Sequence, residues 1–174
     1  VKYNEEVGNK FVKSLPYQLT DAQRKAAWEI LKDLGKSTPM NRLLEGDVGS
    51  GKTVVAAMAA LMVAKSGYQV VLLAPTEILA QQHYASISNL VSSIENIKTE
   101  LLTGSTKPKD KGKILKNIAD GEVQIIIGTH ALLSENINYW TLALVIVDEQ
   151  HRFGVEQRQK LKMINKDTGK VPHF

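Results

Sequence analysis

Eight consecutive residues have the types and spacing to hold a polyphosphate. Gly46-Asp47-Val48-Gly49-Ser50-Gly51-Lys52-Thr53 fits the pattern G-x-x-x-x-G-K-[ST] without a mismatch. The glycines let the backbone curl so that successive N–H groups converge on phosphate oxygens, an approach that a Cβ would obstruct. Lys52 can reach the β- and γ-phosphates, and the Thr53 hydroxyl can take one ligand position on Mg²⁺. A second constellation stands downstream, where the apolar run Leu144-Val145-Ile146-Val147 delivers the adjacent carboxylates Asp148 and Glu149. Asp148 suits a Mg²⁺ site, and Glu149 suits a water lined up on the γ-phosphate. Taken singly, these are an ordinary Gly-rich turn and a solvated Asp-Glu turn. Taken together in one α/β chain, they point to nucleoside triphosphate hydrolysis, with ATP and Mg²⁺ as the cofactors and Lys52, Asp148 and Glu149 as the catalytic candidates.

Other polar residues sit where they could serve the same chemistry. Gln23 lies in Leu15-Pro16-Tyr17-Gln18-Leu19-Thr20-Asp21-Ala22-Gln23, ahead of the phosphate loop. As a lone glutamine it reads as a surface residue; its amide could also pair with both the N6 donor and the N7 acceptor of adenine. Thr76, Thr103, Gly104, Ser105, Thr129 and His130 follow successive apolar runs. Such residues cap helices, and capping suits Thr76 and Thr129 in particular. As a row of hydroxyls and backbone amides they would also grip a sugar-phosphate backbone without reading its sequence.

The elements that must position these groups follow from periodicity. Asn41–Glu45 reads as a short extended run into the phosphate loop, and Thr53–Lys65 as the helix leaving it. Thr20 is a candidate N-cap for a helix whose apolar stripe runs from Ala22 to Leu34 and stops at Gly35. Strands are expected at Tyr68–Ala74, Thr99–Leu102, Val123–Ile127 and Leu142–Val147, with helices at Glu77–Asn89 and Lys109–Asp120 between them. This alternation predicts a doubly wound, mostly parallel α/β sheet with helices on both faces, in which ligands collect beyond the carboxyl ends of the strands. Residues 1–14 have no clear period and read as a linker or the end of an upstream domain.

Composition narrows the class. Charged residues make up 23% and apolar ones 43% of 174 residues, enough for one domain with a sizeable core. The apolar run from Val54 to Ala64 is too short to span a bilayer, so no membrane partner is expected. With no cysteine and no leader visible at Val1-Lys2-Tyr3-Asn4, the cytoplasm is the expected compartment. A net charge of +4 permits contact with nucleic acid without requiring it.

In order along the chain, Gln23, Gly46–Thr53, Ala74–His83 (A-P-T-E-I-L-A-Q-Q-H), Thr103–Ser105, Gly128–Leu132 and Asp148–His151 resemble the Q motif and motifs I, Ia, Ib and II of superfamily 2 helicases. The run from Asp148 to Arg158, D-E-Q-H-R-F-G-V-E-Q-R, is similar to the RecG type, bacterial ATP-dependent enzymes that remodel stalled forks and branched DNA. The resemblance implies that residues 15–174 are a first RecA-like motor domain, with Gln23 on adenine and the Thr76, Thr103 and Thr129 regions on DNA. It further implies partners in the same parent chain, a wedge domain and a second RecA-like domain. It places the end of this chain just before motif III, whose strand would lie between the phosphate-loop strand and the Asp-Glu strand. A fragment so cut is expected to be nearly inert alone. Two other readings stand beside it: a P-loop kinase, against which the Glu149 and strand-end Thr series argue, and a nucleotide-dependent nucleic-acid-binding module. A transporter-type ATPase would need L-S-G-G-Q before the acidic strand, which this chain lacks.

Overall fold

A computed structural model describes residues 1–47, 51–149, 153–165 and 170–174. Helices α1 (Glu5–Ser14), α2 (Asp21–Leu34) and α3 (Lys52–Lys65) come first. Then strand and helix alternate: β1 (Gln69–Leu73), α4 (Glu77–Val91), β2 (Thr99–Leu102), α5 (Pro108–Ala119), β3 (Ile125–Gly128), a 3₁₀ turn (His130–Leu133), β4 (Leu142–Val147) and α6 (Val155–Lys162). Among the described residues the sheet has four strands in the order β2-β3-β1-β4, every neighbouring pair parallel.

β1 is buried along its whole length, as befits a central parallel strand covered on both faces. Its side chains alternate between two cores. Val70 and Leu72 join Ile125, Ile127 and Leu144 under the helices α1 to α4. Val71 and Leu73 join Ile126 and Val145 under α5, the 3₁₀ turn and α6. Helices therefore lie on both faces, as the alternation predicts. α3 is apolar nearly all round and buried from Val54 to Ala64 apart from Ala56. Among the described residues no helix is long and apolar enough to cross a membrane.

Residues 1–14, which show no clear period, contain a helix, and the stretch Asn41–Glu45 comes out differently from expectation. Residues 5–14 form a regular helix, capped by the Asn4 side chain on the Val7 N–H, and it sets Phe11, wholly buried, into the same core as α3. The expected strand Asn41–Glu45 is not part of the sheet. A strand is defined by the neighbour it pairs with, and this stretch is one position removed from β4. Between them lie His173 and Phe174. His173 exchanges backbone hydrogen bonds with Ala143 and Val145, and Phe174 exchanges them with Met40 and Arg42. Among the described residues Leu43 has no ladder partner, and its side chain is exposed.

Candidate nucleotide site and strand-end row

Because all four strands run parallel, their carboxyl ends share one edge. Along it stand, in order, Thr103–Ser105 after β2, Thr129 and His130 after β3, Thr76 after β1, and Asp148 and Glu149 after β4. The acidic pair is thus at the end of the row nearest the segment that leads into the phosphate loop.

That loop meets α3 at Gly51. Gly51 is the N-cap, with φ 81° and ψ 30°, a left-handed conformation that glycine adopts without a Cβ penalty. No side chain caps α3 there, so its first-turn N–H groups and the positive end of its dipole face the loop. Gly46 and Asp47 are exposed and irregular, and Thr53 is half-buried in the first turn. Lys52 Nζ donates to the Gly46 carbonyl at 2.6 Å, which folds the ammonium back over the loop. Gly49 and Ser50 lie outside the described residues, as do Gln150, His151 and Arg152.

Gln23 lies beside this loop, on the first turn of α2. Thr20 and Gln23 make a reciprocal capping box: Gln23 N–H donates to Thr20 Oγ1 at 3.2 Å, and Thr20 N–H donates to Gln23 Oε1 at 2.8 Å. The other end of the amide rests on the phosphate loop, for a Cβ placed on Gly51 would come within 1.8 Å of Gln23 Nε2. Gln23 is therefore at once a cap residue and a neighbour of the loop.

At the acidic pair, Asp148 N–H donates to Leu73 O at 2.9 Å and ties the end of β4 to β1. Asp148 Oδ2 lies 2.7 Å from His83 Nε2. Glu149 is exposed and has φ 49°, the left-handed region, where a residue with a Cβ costs on the order of 1–3 kcal/mol. Among the described residues no three His, Asp or Glu side chains gather into a protein cage for a metal.

The strand-end donors are not alike. Thr76 is exposed and caps α4, its Oγ1 accepting from Leu79 N–H at 3.2 Å. Thr129 occupies the cap position of the 3₁₀ turn without a side-chain cap bond, and it is buried. Thr103 is buried too, its hydroxyl 3.1 Å from that of Ser105. Ser105 N–H donates to Glu77 Oε1 at 2.9 Å, which fixes the exposed Gly104-Ser105 loop to the start of α4. His130 is exposed and stacks on the buried Phe153, centroids 5.3 Å apart. Gly128 closes β3 where any Cβ would meet Leu102 O at 2.0 Å, so the first two loops of the row pack at backbone distance. Sequence reasoning missed His83 and Glu77 as members of the site. Both stand inside the quoted Ala74–His83 run, but their partners are 65 and 28 residues away.

An α/β domain with a G-x-x-x-x-G-K-T loop on a helix N-terminus and an Asp-Glu pair on the same sheet edge is a P-loop nucleotide-binding domain of the RecA-like class. The chain belongs to the DEAD/DEAH box helicase family, whose family model matches residues 20–172. It is 47% identical over 99% of its length to the ATP-dependent DNA helicase RecG of Aquifex aeolicus (strain VF5), covering 22% of that protein. It is 54% identical over 86% of its length to RecG of Streptococcus pneumoniae serotype 4 (strain ATCC BAA-334 / TIGR4), again covering 22%. A solved structure of RecG bound to a three-way DNA junction superposes with a TM-score of 0.87 at 44% identity, over 99% of this chain and 22% of that one. The chain thus spans about a fifth of the length of the relatives it matches.

Proposed function

We propose that this domain is the ATP-binding motor of a RecG-type DNA helicase, a cytoplasmic enzyme that couples ATP hydrolysis to remodelling of branched or forked DNA. In that enzyme it would work with a second RecA-like domain and a wedge domain of the same parent chain. The observation that carries the reading is the order along the sheet edge, which sets three donor loops side by side and the acidic pair next to them.

The chemistry follows from the residues. Backbone N–H groups at the start of α3 and the Lys52 ammonium hold the β- and γ-phosphates. Thr53 and Asp148 would hold Mg²⁺, which when bound neutralises charge on the phosphate oxygens. Glu149 takes a proton from water as its oxygen attacks the γ-phosphorus and the bond to the β-phosphate oxygen breaks. Gln23 contacts adenine, and the Thr76, Thr103–Ser105 and Thr129–His130 loops contact the DNA backbone. Substitutions in those loops should weaken DNA binding alike across sequences.

Calorimetry with Mg-ATP on the complete enzyme tests the phosphate assignment. Lys52→Ala removes a charge-assisted contact of about 1.5–3 kcal/mol, so affinity should fall roughly tenfold to a hundredfold. Glu149→Gln should keep that affinity and lose most DNA-stimulated turnover. Undiminished binding by Lys52→Ala, or wild-type hydrolysis by Glu149→Gln, would overturn the assignment.

A further inference from the structure

His83 is a half-buried imidazole whose contact the reaction above leaves unused. It sits in the second turn of α4, and its Nε2 lies 2.7 Å from Asp148 Oδ2, across 65 residues of sequence. An ionised carboxylate only accepts hydrogen bonds, so Nε2 carries the hydrogen. The His83 side chain is 19% exposed and that of Asp148 34%, so the contact is sheltered while the carboxylate still faces outward. α4 itself is well anchored, by the Thr76 cap at its start and by buried Ala80, Ile87 and Val91 along it.

We propose that His83 is a positioning residue for the metal-binding carboxylate. The inference rests on the reading of Asp148 as a Mg²⁺ ligand. An aspartate at a strand end has a broad torsion about its last bond, so its backbone contact to Leu73 does not by itself aim the carboxylate. The hydrogen bond from His83 holds Oδ2 and leaves Oδ1 to face a metal. Ligating carboxylates are commonly oriented in this way, and losing such a partner weakens metal binding about 10–100-fold. The geometry also joins two parts of the site, because the helix that presents His83 begins at Thr76 and carries Glu77 against the Ser105 amide.

The test is direct metal binding by the complete enzyme, with Mn²⁺ in place of Mg²⁺ and ADP present, free Mn²⁺ being read by electron paramagnetic resonance. His83→Ala should weaken Mn²⁺ binding by about tenfold or more, while its ADP affinity in EDTA stays at the wild-type level. His83→Leu, which fills the space without a donor and keeps α4 packed, should behave in the same way. His83→Gln restores an N–H donor and should recover most of the affinity. Wild-type Mn²⁺ binding by the Ala and Leu variants, alongside a defective Asp148→Asn, would overturn the role of His83 alone. Wild-type Mn²⁺ binding by Asp148→Asn would overturn the metal assignment beneath it. A Gln variant as weak as Ala, or a matching loss of ADP affinity in EDTA, would reduce His83 to a packing residue and also overturn the proposal.

Discussion

Replacing Gly51 by alanine tests whether the Gln23 amide rests on the phosphate loop. Two costs are legible in the structure. Gly51 has φ 81°, and an alanine there loses roughly 1–2 kcal/mol to the clash that disfavours left-handed backbone. The new Cβ would also stand 1.8 Å from Gln23 Nε2 and 3.1 Å from Gln23 Cδ, so the amide must swing away. In leaving, it withdraws Oε1 from Thr20 N–H and opens the capping box of α2, which loses about 1 kcal/mol more. The expected total is ~2–3 kcal/mol. Equilibrium urea unfolding of the wild type, Gly51→Ala, Gln23→Ala and the double variant separates the two parts. With Gln23 already shortened, Gly51→Ala should cost only its backbone share, so the cycle should show about 1 kcal/mol or more of coupling. Additivity within roughly 0.3–0.5 kcal/mol would refute the contact, since residues that do not touch behave that way.

Two further predictions concern what holds the sheet and its flanks. Gln69, 2% exposed, donates from Nε2 to Ile118 O and Val123 O and accepts at Oε1 from Trp140 N–H and Thr141 N–H, so Gln69→Leu should cost ~3 kcal/mol or more through orphaned backbone groups, read as a lower urea midpoint. Acid should weaken the domain in two windows. Burial lowers the His173 pKa from 6.5, its Nδ1 accepting from Met40 N–H, so its share of stability is full above pH 6.5 and is lost as pH falls below it. Hydrogen bonds from Lys36 and then Arg42 lower Asp33 from 3.8 to about 2, so its share is full above pH 3.8 and is lost as pH falls towards about 2. Unfolding midpoints measured against pH should flatten in the first window for His173→Gln and in the second for Asp33→Asn; unchanged curves would refute the respective contact.

What the sequence disclosed depended on whether the determining contacts were local. β4 begins and ends where its apolar run does, and β2 keeps its expected bounds although it is Thr99-Glu100-Leu101-Leu102 with only Leu102 fully buried. α2 was legible through Thr20 and Gly35, which bound it physically as cap residues. α1 was not, because it buries only Gly8 and Phe11 and its remaining residues are polar or mixed. Asn41–Glu45 looked extended locally, but pairing decides strand formation and its neighbour is the two-residue bridge at His173 and Phe174. The same division runs through the site. The phosphate loop and the Asp-Glu pair are short contiguous patterns and were legible. The His83–Asp148 and Glu77–Ser105 contacts join separate motifs, and no spacing within either motif announces them.

Hydrogen bonds already made in the structure also bear on how much each ligand contact is worth. Lys52 already donates to Gly46 O, so its contact with phosphate is an exchange and its net worth is the difference between the two bonds. Both bonds have the ionised ammonium as donor, but only the phosphate brings the opposite charge, which keeps the Lys52→Ala loss substantial but places it towards the lower part of the roughly 1.5–3 kcal/mol range. The Ser105 amide is held by a carboxylate already, and a DNA phosphate would replace one anion by another. That exchange is close to neutral, and it brings a second negative charge near Glu77. Thr76 has the opposite balance: it is exposed, its hydroxyl and carbonyl oxygens accept from the Leu79 and Ala80 amides of its own helix, and among the described residues its own N–H and hydroxyl hydrogen remain as donors. Within the proposed DNA-binding row, affinity should therefore depend more on Thr76 than on Ser105. In DNA-binding measurements on the complete enzyme, Ser105→Ala, which keeps that amide and removes only a hydroxyl already paired with Thr103 Oγ1, should cost less affinity than Thr76→Ala; the reverse order would contradict this ordering.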